Sequence, residues 1–192
     1  MINLHAENIL TMDFLELVTL RQSVRKYNTD RPVEPEKLQR CIEAVRLAPS
    51  ACNAQPWKLV VVNDPELKNK VSEAASAKWL GFNNFTRQAQ LIVVIVREEP
   101  NMTSKLGTVL KDKPYTLMDV GIAAEHFCLQ AASEGLGTCI MGWFDEAKVK
   151  NLLGIPKNKR AELVITVGYP AKPEIRQKIR KKTAEICSYN KY

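Results

Sequence analysis

The chain carries only two histidines, His5 and His126, five scattered cysteines, and no apolar run near the roughly 20 residues that span a bilayer. Each scarcity removes a class of chemistry. Cys41, Cys52, Cys128, Cys139 and Cys187 are odd in number and contain no Cys-x-x-Cys pair, so a disulfide framework or thiolate zinc site is not expected, and a reducing, cytoplasmic setting fits. There is no Walker loop, no strand-linked Gly-x-Gly-x-x-Gly, no triad spacing, no internal repeat and no low-complexity segment. The stretch Met1–Leu10 holds His5 and Glu7 without a basic leader, which argues against a secretory signal. With no nucleophile or metal cluster in view, the chemistry is expected from a cofactor.

What is present describes a globular chain. A length of 192 residues suits one domain over 1–192 with a sizeable core, and 45% apolar with 26% charged residues is a folding composition. The net charge of +7 raises nucleic acid, an anionic membrane or a small anionic ligand as partners. Distribution separates them. The one dense basic run is Arg176, Lys178, Arg180, Lys181 and Lys182, and no zinc-finger, helix-turn-helix or RNA-recognition signature accompanies it. Phosphate on a nucleotide is the more economical target, with a basic nucleic-acid-binding protein as the rival class.

Local signals divide the chain. Asp13 and Glu16 form a capping-box pattern ahead of Phe14, Leu17, Val18 and Leu20, predicting a helix that ends near Arg21. Pro35 opens a second helix that stops before Pro49, and Trp57–Val62 is a buried-strand pattern. Asp64-Pro65 starts a third helix, and Leu91–Val96 is a second strand. Residues 97–116 lack periodicity and read as a loop; 117–134 fit one long buried helix with Gly135 at its C-terminus. A strand over 138–143, a helix from Asp145 to Gly154 and a strand over 163–167 follow, and Tyr169-Pro170 with Pro173 launches a tail. Strands do not alternate regularly with helices, so the class is α+β, a small mixed or antiparallel sheet wrapped by helices.

Two polar segments carry the chemistry. In Arg21-Gln22-Ser23-Val24-Arg25, guanidinium groups at two-residue spacing flank a hydroxyl; on extended chain they share one face and can grip a phosphate by bidentate, charge-assisted bonds. One helix later, Pro49-Ser50-Ala51-Cys52-Asn53-Ala54-Gln55-Pro56-Trp57 brings amide donors beside an apolar ring. Together with Asp119–Glu125 opening the long helix and Gly135–Gly142 closing it, these segments resemble the FMN-dependent nitroreductase family over about residues 15–183.

That resemblance implies the nitroreductase fold, a homodimer with flavins at the interface and a tail, about 173–192, packed on the partner subunit. It implies that Arg21, Gln22, Ser23 and Arg25, completed by Lys178 and Arg180, hold the FMN phosphate and polar tail. Pro49, Ser50, Ala51 and Asn53 reach the flavin from the partner; Asn53 can donate and accept at once. Gly137, Thr138, Met141 and Gly142 lie against the isoalloxazine. The implied activity is transfer of hydride from NADH or NADPH through FMN to a nitroaromatic, quinone or similar small acceptor, with reductive dehalogenation or flavin-fragmenting chemistry as related alternatives. Segments 78–88 and 101–116 would form the lid. Asp119, Glu125 and His126 are expected to be satisfied core groups.

Overall fold

A computed structural model describes residues 12–76, 83–99 and 113–192. Helix α1 (Phe14–Leu20) begins on the expected capping box, with the Asp13 carboxylate accepting from Leu15 N–H and Glu16 returning to the Asp13 N–H. α2 (Pro35–Arg46) starts on proline and α3 (Pro65–Ala75) on the Asp64 cap followed by proline. α4 spans Tyr115–Ser133, so the last two residues of the stretch read as loop are helical; Pro114 ends the irregular backbone there and its carbonyl accepts the Leu117 N–H. α5 (Glu146–Leu153) runs from the Asp145 cap to Gly154 at φ 63°.

Strands β1 (Trp57–Val62), β2 (Leu91–Arg97), β3 (Gly137–Met141) and β4 (Arg160–Gly168) form one sheet in the order β1-β2-β4-β3, all neighbours antiparallel. β3 is shorter than expected and β4 longer. Arg160, Ala161 and Glu162 lie outside the expected strand because Arg160 and Glu162 break the apolar run; Arg160 and Ala161 pair with Arg97 and Val96 of β2, and Glu162 forms an ion pair with Arg97.

Side chains alternate across the sheet and build two cores. Leu91, Val93 and Ile95 face α2 and α4 in a cluster with Val45, Phe127 and Ile165, while Ile92, Val94 and Val96 face α3 and α5 with Val71, Val149 and Val164. The result is three layers, helices on both faces of the sheet. Cys41 and Cys128 are buried in the first core, and burial pushes their thiols up to about 12 and about 11.

The chain after α1 positions the site. Ser23 bridges Thr138 on the free edge of β3 in parallel sense, and Val24 N–H donates to the Thr138 carbonyl at 2.8 Å. Asn28 N–H donates to the Tyr169 carbonyl, and Ala171 N–H to that of Lys26. Residues 21–28 therefore thread between the edge of β3 and the start of the tail.

Candidate functional site

Because residues 21–25 are extended and the tail beside them lacks helix until the short turn Thr183–Glu185, both present side chains at two-residue spacing. Gln22 joins the two: its Nε2 donates to the Glu174 carbonyl at 3.0 Å and its Oε1 accepts the Arg176 N–H at 3.1 Å. Arg176 Nη2 donates to the Ser23 carbonyl at 2.6 Å. A cavity of about 330 Å³ results, with Arg21, Gln22, Ser23 and Arg25 on one wall and Arg176, Lys178 and Arg180 on the other.

The five cations are not equivalent. Arg21 is held by Glu125 of α4, its Nη2 2.6 Å from Oε2, and this bond keeps the guanidinium charged. Lys178 Nζ donates to the carbonyls of Val18 and Arg21 at 2.6 and 2.7 Å, satisfying acceptors that α1 leaves at its C-terminus. Burial, with Arg180 and Arg21 nearby, pushes that ammonium below the ordinary lysine value. Arg25 and Arg180 form no ion pair among the described residues, so their charge is available to an anion.

Other predicted residues lie around this cavity or apart from it. Gly137 and Thr138 are buried beneath residues 21–25 and line a neighbouring cleft of about 300 Å³ with Arg21, Gln22, Leu136 and Tyr169. A Cβ at Gly137 would lie 2.6 Å from Val24 Cγ2, so close packing against Val24 alone demands glycine. The Met141 side chain belongs to the core facing α3 and α5, leaving backbone as its contribution at the surface, and Gly142 beyond it is exposed.

Of Pro49, Ser50, Ala51 and Asn53, the turn Ala51–Asn53 stands on the N-terminal half of α4, with Pro49 and Ser50 leading into it. Ala51 N–H donates to Asp119 Oδ1 at 3.0 Å, whereas Arg21 meets α4 at Glu125, six residues and about 9 Å further along the axis. Cys52, Asn53 and Gln55 adopt positive φ values of 52°, 50° and 46°. Left-handed backbone at non-glycine residues costs on the order of 1 kcal/mol each and must be held by its surroundings.

Three expectations about α4 change. Glu125 is half-exposed and pairs with Arg21; it is not a core group. His126 is half-buried, its Nδ1 2.9 Å from the Ile122 carbonyl, because position 126 lies beside the buried stripe of Ala123, Phe127 and Ala131. Asp119 is buried as expected but satisfied through one oxygen only. Arg176 was overlooked as a site residue, although its two-residue spacing to Lys178 was the signal. Residues 77–82 and 100–112, most of the expected lid, lie outside the described residues; 84–88 form a 3₁₀ turn.

Among the described residues no cluster of His, Cys, Asp and Glu could hold a metal, and no helix is long and apolar enough to cross a membrane. The cavity's donors suit a phosphate monoester: two guanidinium groups without an ion pair among the described residues and an oriented third, with Ser23 on the same wall.

The chain is 31% identical over 162 residues to a putative NADH dehydrogenase/NAD(P)H nitroreductase of Archaeoglobus fulgidus, covering 81% of this chain and 84% of that one. It is 30% identical over 166 residues to an FMN reductase [NAD(P)H] of Bacillus subtilis, covering 83% of this chain and 66% of that protein. A crystal structure of a nitroreductase family protein from Clostridium difficile 630 superposes with a TM-score of 0.75 at 29% identity, over 94% of this chain and all of that one. The model of the nitroreductase family matches residues 18–169, a span that opens at the end of α1 and closes at Tyr169, and the chain belongs to that family.

Proposed function

We propose that this chain is an FMN-dependent NAD(P)H oxidoreductase that reduces nitroaromatic, quinone or similar electron-poor acceptors in two alternating half-reactions. The observation that carries this reading is the convergence of Arg21, Arg25, Arg176, Lys178 and Arg180 on one cavity beside the edge of β3. A nucleic-acid surface would spread cations along a face; these converge on one cavity. Bound there, FMN would supply hydride acceptance from the nicotinamide and hydride donation to the acceptor.

The chain's own residues bind and orient. Arg25 and Arg180 neutralise phosphate, Ser23 offers a hydroxyl, and Gln22 aligns the tail so that Arg176 and Lys178 close the far wall. The turn at 50–53 stands on α4 about 9 Å from the level of Arg21 and does not line the phosphate cavity itself; the family resemblance assigns it to the flavin of a second copy. An apolar surface is at hand for such a copy: among the described residues Phe14, Leu15 and Val18 of α1 and Leu117, Met118 and Ile122 of α4 are all exposed. The exposed apolar face supports a homodimer with its sites between the subunits.

The direct test is titration of the purified protein with FMN and with riboflavin, followed by NADH. FMN binding at least about tenfold tighter than riboflavin, with bleaching of the bound flavin by NADH, is expected from loss of one or two charge-assisted bonds. Equal affinities, or a colourless protein with salt-sensitive DNA binding, would overturn the reading. Including a halogenated phenol in the acceptor series separates nitro or quinone reduction from reductive dehalogenation.

A further inference from the structure

Asp119 is 3% exposed, yet only one of its oxygens has a partner: Oδ1 accepts the Ala51 N–H at 3.0 Å, and Oδ2 is buried with none. A buried carboxylate with an orphaned oxygen is costly for a single chain to keep, so what it holds is informative. It holds the strained turn. Within that turn Asn53 N–H bonds the Ser50 carbonyl, Ala54 N–H the Ala51 carbonyl, and Gln55 N–H the Ser50 Oγ. The Ala51–Asp119 bond ties the turn to α4, the helix that also carries Glu125 and through it Arg21.

Asn53 is exposed, and its Oδ1 accepts the Gln55 Nε2 at 3.0 Å, which orients the Asn53 amide with its nitrogen turned to other partners. The direction in which that amide points is set by a turn with three left-handed residues, and Asp119 Oδ1 bonds that turn to α4 at Ala51. Asparagine in place of Asp119 could also accept from Ala51, but would bring two N–H donors to the place where Oδ2 finds nothing.

We propose that Asp119 is the positioning residue of the flavin-contacting turn, presetting Ser50 to Asn53 for the cofactor held by a second copy; the inference rests on the FMN reading above. The test combines hydrogen exchange of the backbone amides of 50–55 in flavin-free protein with FMN titration, for wild type, Asp119→Ala, Asp119→Asn and Ala51→Pro. Ala51→Pro removes the same bond from the donor side and leaves the carboxylate in place.

Loss of a buried hydrogen bond that orders the turn predicts at least about tenfold faster exchange there and about tenfold weaker FMN binding for Asp119→Ala. Ala51→Pro should weaken FMN binding to the same degree, and Asp119→Asn, which keeps the acceptor but leaves its own N–H donors unpaired, should fall between wild type and Asp119→Ala in both readouts. Unchanged exchange and affinity in Asp119→Ala, or wild-type affinity in Ala51→Pro, overturns the proposal; so does an Asp119→Asn protein as impaired as Asp119→Ala. If Asp119→Ala does not fold, the proline and asparagine variants decide. Altered exchange in a family of proteins none of which binds FMN, wild type included, overturns the functional reading and this inference with it, an outcome distinct from failure of the positioning role alone.

Discussion

Glu125 holds Arg21 through both carboxylate oxygens, at 3.0 Å from Nε and 2.6 Å from Nη2, across 104 residues of sequence. The pair is partly exposed, so its contribution to stability is small, within about 1 kcal/mol. Its consequence is orientation: two of the guanidinium's three nitrogens are committed to Glu125 and the Nη1 side is left for a ligand.

Arg21→Ala is accordingly expected to weaken FMN binding by about ten- to a hundredfold, the equivalent of one charge-assisted bond, with the melting temperature nearly unchanged. Glu125→Gln keeps the positive charge and loses its alignment, so a loss of about threefold is expected, less than that of Arg21→Ala. Flavin fluorescence titration alongside thermal melting measures both. An Arg21→Ala protein that retains full flavin occupancy would contradict the assignment of this cavity.

Gly137 gives a prediction of the opposite kind, in which stability moves first. A Cβ there meets Val24 Cγ2, Cβ and Cγ1 at 2.6, 2.8 and 3.0 Å, and Val24 is fixed by its N–H bond to the Thr138 carbonyl. Gly137→Ala should cost about 1–3 kcal/mol by overpacking, read as a lower denaturant midpoint. Val24→Ala in the same chain should recover a substantial part by making room, whereas additive losses in the double variant would show that the contact is not the cause.

The sequence signals that held were those whose physics is local. The Asp13–Glu16 box, the Asp64-Pro65 start, the Asp145 cap and the glycine at 154 each act within about one turn, and all stand where their spacing placed them. The extended reading of Arg21, Ser23 and Arg25 held for the same reason. What escaped was long-range. Glu125 looked like part of an apolar helix because periodicity says nothing about a partner 104 residues away. Arg176 was hidden among five tail cations until Gln22 fixed the register of the tail. The packing of Val24 against Gly137 is equally invisible in the sequence, because Val24 arrives from another element.

Lys178 links anion binding to pH. Burial first, then Arg180 and Arg21, hold its ammonium below the ordinary value of 10.5. Between the lowered value and 10.5 the folded protein binds fewer protons than the unfolded chain, so the penalty is present below the lowered value and relaxes as pH rises toward 10.5. A phosphate in the cavity favours the charged form and reverses that shift. Binding should therefore take up protons, and FMN affinity should decline on the alkaline side as pH climbs through the lowered value. Lys178→Gln should bind more weakly at neutral pH and show a shallower alkaline decline; calorimetric titration in buffers of different ionisation enthalpy reads the proton uptake directly.

The acid side is governed elsewhere, where α2 meets the end of α4. Arg40 grips Glu134 with Nε–Oε1 at 2.5 Å and Nη2–Oε2 at 2.6 Å, Gln130 Nε2 adds a bond at 2.9 Å, and Lys37 Nζ holds the Glu134 carbonyl at 2.8 Å. Arg40 above all keeps the Glu134 carboxyl below its ordinary 4.5. A carboxylate lowered by folding contributes stability that is full above the unfolded value and is lost as pH falls through the folded one. Glu134→Gln should thus melt below wild type by a constant margin at neutral pH, and the margin should close only below 4.5. Melting curves of both proteins from pH 7 to about pH 3 decide the matter. A margin that shrank already near neutrality would place the titrating group outside this clamp, and one that widened in acid would mean that the Glu134 carboxyl is raised, not lowered, by the fold.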